Sequence, residues 1–151
     1  MAIVWRDEIS VGNEEIDNQH KYLIDLINII ESAVNCDLFE DALSIYIDQL
    51  VSYTKVHFRQ EIEIQKEISF PFIEHHQKAH QNLANQLEEI VSEFKKIGTS
   101  KTLKIDPSKS KTEGFKKPVD HLFLLLRDWI IHHILEEDMK MKDYFKEKDA
   151  K

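Results

Sequence analysis

A chain of 151 residues, 42% apolar and 32% charged, is long enough for one domain around one buried core. Its formal charge of −8 argues against non-specific binding to nucleic acid or to an anionic membrane surface. Three Gly and three Pro are few chain breakers, so long helices are favoured over sheet, and the lone Cys36 excludes an intramolecular disulfide.

The start, MAIVWRDEIS, lacks the basic-then-apolar order of a secretory signal, and apolar runs such as 122–126 are too short to cross a membrane. A soluble, cytoplasmic protein is expected. Four segments then show the three-to-four-residue recurrence of an amphipathic helix. The first puts Ile16, His20, Leu23, Ile27, Ile30 and Val34 on one face; the second does so with Tyr46, Leu50, Tyr53, His57, Glu61, Ile64 and Ile68. The third starts near Pro71 and aligns Phe72, His76, His80, Leu83, Leu87, Ile90 or Val91, and Phe94; the fourth, after Pro118, aligns Leu122, Leu125 or Leu126, Trp129 and His133. Short connections at 35–39 and 69–71 imply antiparallel neighbours, so an all-α, up-down-up-down four-helix bundle is expected. The stretch 98–117 holds two of the three glycines, one Pro and many Ser, Thr and Lys, and reads as a long, solvated loop between the third and fourth helices. Past Asp138 the tail is expected to continue as a polar helix or to fray.

The anomaly is chemical. His20, His57, Glu61, His76, His80 and His133 stand where the helical period asks for hydrophobes. Burying a neutral polar group unpaired costs about 2–7 kcal/mol. Six such costs would consume the whole stability of a typical domain, about 5–15 kcal/mol. A shared metal cluster would satisfy them together. His57/Glu61 and His76/His80 are i, i+4 pairs, each on one helix face. Counted from the helix ends on one side, His20, His57, His80 and His133 all lie about 25 Å in, so four helices would bring four donors to one level. Asp138 follows His133 by five residues, about 140° round an ideal α-helix, and reaches the same place only if the helix is locally unwound.

Five imidazoles and two carboxylates exceed the ligand set of one tetrahedral zinc. Thiolate-free, imidazole-rich ligation suits a pair of ions such as iron. Two bridging carboxylates, five imidazoles and a bridging hydroxide would fill about eleven of twelve positions around two six-coordinate ions, leaving one for a small ligand.

These residues resemble the hemerythrin family: QH at 19–20, H-F-x-x-E at 57–61, Pro71, H-x-x-x-H at 76–80 and W-x-x-x-H-I-x-x-x-D at 129–138, in order. The likeness covers the chain apart from 98–117 and marks 1–151 as one diiron domain of the stand-alone bacterial kind. It implies that His76, His80 and His133 ligate a six-coordinate iron, His20 and His57 a five-coordinate one, with Glu61 and Asp138 bridging alongside an oxide or hydroxide. The cofactor would be two iron ions (Fe2+/Fe3+) and the ligand dioxygen, with small anions such as azide at the open iron. Gln65, Trp129 and Ile130 are candidates for the oxygen pocket. Position 65 departs from the family, which often has Met there; an amide in the pocket would bond bound ligand or admit water and hasten oxidation to the ferric state. The loop is a second departure, longer than a bundle needs.

His75, His132 and His121 read as surface or structural residues, Trp129 as core and Cys36 as inert. Three functions fit: reversible dioxygen binding for storage, delivery or buffering, without catalysis; peroxide or nitric oxide chemistry, with Gln65 or Tyr53 as the available proton donors; and oxygen sensing through the loop toward a protein partner. Ferritin-type chemistry is disfavoured, since no His has Glu three residues before it, and zinc peptidase chemistry because H-E-x-x-H is missing.

Overall fold

The computed structural model describes residues 2–35, 40–100, 124–126 and 128–149, all-helical or irregular, with no strand among them. A 3-10 turn at Asp7–Ile9 precedes α1 (Glu14–Asn35); α2 spans Glu40–Glu67 and α3 Ile73–Ser100. A π-helix at Trp129–Glu137 then passes through a 3-10 turn, Asp138–Met141, into α4 (Lys142–Asp149).

The start of α1 is capped. Asn13 Oδ1 accepts from the Ile16 N–H at 3.0 Å, satisfying a donor that a helix start leaves open, and Asp17 ties the preceding segment down by accepting the Val11 N–H at 2.9 Å. Glu14, Glu15 and Asp17 complement the positive end of the helix dipole. Upstream, Ile3 is latched to α1 through both amide atoms of Asn28, at 2.9 and 2.8 Å. At the other end of α2 the Phe70 N–H bonds the Gln65 carbonyl and the Ser69 N–H bonds that of Lys66, a Schellman turn with Ser69 at φ 55. The turn returns the chain as α3 and drops Phe70 into the core at 3% exposure. Phe72, expected on the inward face of α3, is 52% exposed; it precedes the helix and points outward while Phe70 fills the site beneath.

Inward faces otherwise follow the apolar period: Ile16, Leu23, Ile27 and Ile30 on α1, and Leu43, Ile47, Leu50 and Phe58 on α2, are buried. Tyr46 and Tyr53, expected in the α2 stripe, are only half-buried. The contacts pair rising with falling numbers: Tyr22 with Tyr53 and Gln19 with Gln60 between α1 and α2, Lys55 with Glu88 and Glu61 with His76 between α2 and α3.

Two apolar clusters result. The larger is built on Leu23, Ile27, Ile47, Leu50, Leu126 and Trp129, the smaller on Val11, Ile16, Ile64, Phe70, Met141 and Phe145. The tail is thus no purely polar helix, because Met141 and Phe145 close the second cluster.

The expected loop also begins later than its composition suggests. α3 continues through Ser100, as one interior Gly costs a helix only about 1 kcal/mol and no Pro occurs between Pro71 and Pro107. Residues 101–117, Cys36 and His121 lie outside the described residues, as do the side chains of Val34, Phe94 and Ile130. No helix among the described residues is long and apolar enough to cross a membrane.

Candidate metal centre

Between the two apolar clusters lie the seven polar side chains that the sequence places on inward faces. His20, His57, Glu61 and Asp138 are fully buried, and His76, His80 and His133 nearly so. α1 supplies His20, α2 His57 and Glu61, and α3 His76 and His80, while His133 comes from the π-helix and Asp138 from its C-terminal edge.

The π-helix settles how an i, i+5 pair can share a face. The Asp138 N–H reaches the His133 carbonyl, five residues back, as well as that of Ile134. Each π turn holds one residue more than an α turn, so residue i+5 stacks over residue i. Asp138 therefore sits within 3.0 Å of His133, Oδ1 to Nε2, rather than on the far side of the helix.

All five imidazoles turn Nε2 toward the two carboxylates. Glu61 Oε2 lies 3.0 Å from His80, 3.5 Å from His76 and 3.8 Å from His57. Asp138 divides its oxygens: Oδ1 is 2.9 Å from His76, while Oδ2 is 3.2 Å from His20. His80 Nε2 and His133 Nε2 face each other at 3.0 Å. The donors fall into two overlapping groups whose ligand atoms lie within 4.8 Å of one another: Glu61, His76, His80, His133 and Asp138; and His20, His57 and Glu61.

Proximity here is not hydrogen bonding. Both carboxylate oxygens of Glu61 and of Asp138, both ring nitrogens of His20, and Nε2 of His57 and His76 are buried without a hydrogen-bond partner among the described residues. Such groups cost about 1–3 kcal/mol each, more when charged. Buried nitrogens and carboxylate oxygens that converge on one point without hydrogen-bond partners are what a cation would satisfy, so the donor set fits a metal centre.

The electrostatics agree. Burial holds His57 down at about 4, so its ring is neutral, as a ligand must be; burial also lowers His80. Burial would lower His76 too, but Asp138 and Glu61 beside it win and raise it to about 9. The same contest raises His20, chiefly through Asp138. Burial and Asp138 would raise Glu61, yet the His76 and His80 rings close beside it bring it to about 2. Asp138 is likewise held well below the usual carboxylate range, against burial, by His133, His20 and His76. At neutral pH this is a dianionic pair of bridging-competent carboxylates inside a ring of imidazoles.

Of the three pocket candidates, the two whose side chains are described lie apart. Trp129 is buried near His57 and Phe58, ring centroids 6.2 and 6.0 Å away, and lines a small apolar recess with Thr54, Leu83 and Leu126. Gln65 lies on the opposite side of the cluster, donating to Met141 Sδ at 3.3 Å, with its carbonyl oxygen buried and unpartnered. Ile130 lies where only the backbone is described. His75 and His132 are exposed beside their inward neighbours. Tyr53 pairs with Tyr22 at 4.4 Å.

Two contacts went unread in the sequence. Phe58 stacks on His80 at 3.9 Å and 8°, and Gln19, next to His20, meets His57 Nδ1 at 2.6 Å. Adjacency to a ligand was the available signal for both: Phe58 follows His57 and Gln19 precedes His20.

Helices that bury a convergent set of imidazoles and carboxylates, with donors that only a cation would satisfy, define a metal-binding helical protein. The chain belongs to the hemerythrin family: the family model for the hemerythrin HHE cation binding domain matches residues 11–145. Among relatives, a bacteriohemerythrin of Campylobacter jejuni is 28% identical, covering 95% of each chain. One of Stenotrophomonas maltophilia is 26% identical over 95% of this chain and 82% of its own, and one of Pseudomonas paraeruginosa is 26% identical over 90% and 76%.

Proposed function

We propose that this protein binds dioxygen reversibly at a pair of iron ions, for storage, delivery or buffering, and that its helices form one up-down-up-down four-helix bundle around them. The observation that carries the reading is the pair of donor groups sharing Glu61: one holds three imidazoles, the other two. His76, His80 and His133 would hold one ion, His20 and His57 the other, with Glu61 and Asp138 between them. The split of Asp138 across its two oxygens supports a bridging role. The unequal donor count leaves the His20/His57 side one ligand short, which is where an added small molecule or an anion such as azide would fit. When bound, the ferrous pair with its oxide or hydroxide bridge would supply the electrons that make dioxygen binding reversible.

The chain's own residues do the rest. Burial of all seven donors excludes bulk water from the centre. Trp129, Phe58 and Leu126 give an apolar flank on the His57 side, suited to a small uncharged gas rather than to a polar substrate. A role in sensing would need a partner for residues near 101–117, and nothing described favours one. The lone cysteine fits a reducing cytoplasm.

The test is optical. Protein purified in air should show oxo-bridge charge-transfer bands that bleach on removal of oxygen and return on re-exposure over many cycles. Bands that never clear, with rapid peroxide consumption, would overturn the binding reading in favour of an enzyme.

A further inference from the structure

His57 differs from His20 and His80 in how its second ring nitrogen is held. His57 Nδ1 lies 2.6 Å from Gln19 Oε1, and the Gln19 amide nitrogen in turn donates to Gln60 Oε1 at 2.6 Å. Gln19 is buried on α1, whereas Gln60 is exposed on α2. By contrast His20 and His80 leave Nδ1 buried without a hydrogen-bond partner among the described residues.

The order of these contacts fixes a tautomer. An amide oxygen can only accept, so Gln19 Oε1 keeps the proton on His57 Nδ1 and leaves a lone pair on Nε2, which faces Glu61 at 3.8 Å. Were the Gln19 amide reversed, its NH2 would face Nδ1 and the proton would move to Nε2, blocking the ligand position. Gln60 opposes that reversal by accepting from the amide nitrogen.

We infer that Gln19 and Gln60 form a surface-to-site chain of positioning residues that holds His57 in the ligating tautomer, and so sets metal retention on the His20/His57 side. The inference rests on the diiron reading for its metal half alone. Because Gln19 is a neutral partner, it orients the ring without drawing it toward imidazolate, as a carboxylate in its place would.

The experiment uses full-length 15N-labelled protein, first metal-free and then titrated anaerobically with ferrous iron. Long-range ring 1H–15N spectra of the metal-free wild type should show His57 protonated at Nδ1. Gln19→Met, similar in shape and lacking the acceptor, should lose that preference with an unchanged far-ultraviolet circular dichroism spectrum. It should also weaken uptake of the second iron by about 10-fold or more. Gln60→Ala, an exposed change, should move both readouts the same way by less. A proton found on Nε2 in the wild type, or a Gln19→Met variant with tautomer and second-iron affinity unchanged, would overturn the inference. Failure of wild-type protein to take up iron would instead count against the diiron reading, and the tautomer comparison would still decide the role of Gln19.

Discussion

In α2 and α3 the paired donors stand four residues apart; in the last segment they stand five apart, and the backbone changes to suit. His57/Glu61 and His76/His80 need only an ordinary α-helix to share a face. His133/Asp138 needs the i→i+5 hydrogen bond that the Asp138 N–H makes to the His133 carbonyl. The same functional demand is thus met by sequence spacing in one region and by helix type in the other. A π-helix amounts to one residue inserted into an α-helix, and such segments concentrate at functional sites.

The comparison yields its largest effects when the spacing is altered. Deleting the exposed Arg59 should turn everything beyond it on α2, Glu61 included, by about 100° relative to His57 and abolish iron binding. Deleting the 46%-exposed Leu135 should instead let the π-helix relax to an α-helix, with His133 and the former Asp138 now i, i+4 and still stacked. Iron content should survive that second deletion. Parallel metal analysis of the two proteins checks both, and equal losses would break the distinction. Asp138→Asn comes next. It keeps the shape but removes a charge that touches three imidazoles, and iron affinity should fall by about 100-fold, read by competition with a chelator.

A smaller effect appears with pH in the metal-free protein. His57, lowered from 6.5 to about 4, favours the folded state while neutral; the unfolded chain takes up its proton first, so this stability is lost as pH falls from 6.5 toward 4. His76, raised from 6.5 to about 9, works the other way, its contribution being complete below 6.5 and lost as pH rises through 9. Urea midpoints for metal-free protein should therefore peak near pH 6.5. Iron uptake at pH 7 should release the His76 proton, which a weakly buffered indicator dye would record.

The smallest effect concerns the turn between α2 and α3. Ser69→Gly should raise stability by about 0.5–1 kcal/mol, because φ 55 is costly for any residue with a Cβ. Thermal unfolding measures it, and iron content should not change.

What the sequence disclosed follows the same division. His20, His57, Glu61, His76, His80 and His133 were legible because an α-helical period makes a misplaced polar residue conspicuous. Asp138 was legible only as a condition on the backbone, since no local residue signals a π turn by composition. Phe70, and not the expected Phe72, is the buried residue because a Schellman turn, not the apolar period, sets the direction of the chain there. Gln65 and Trp129 look alike as near-ligand positions, yet they flank opposite sides of the cluster, which only the relative depth of α2 and the π-helix reveals. The Gln19 contact depends on how α1 is rotated against α2, a tertiary fact beyond any single helix.

The most direct test of the diiron site is a crystal structure of the iron-loaded protein with anomalous scattering recorded at the iron edge. Two peaks a few ångströms apart are expected, one among Glu61, His76, His80, His133 and Asp138, the other beside His20 and His57. A single peak, or density away from these side chains, would contradict it.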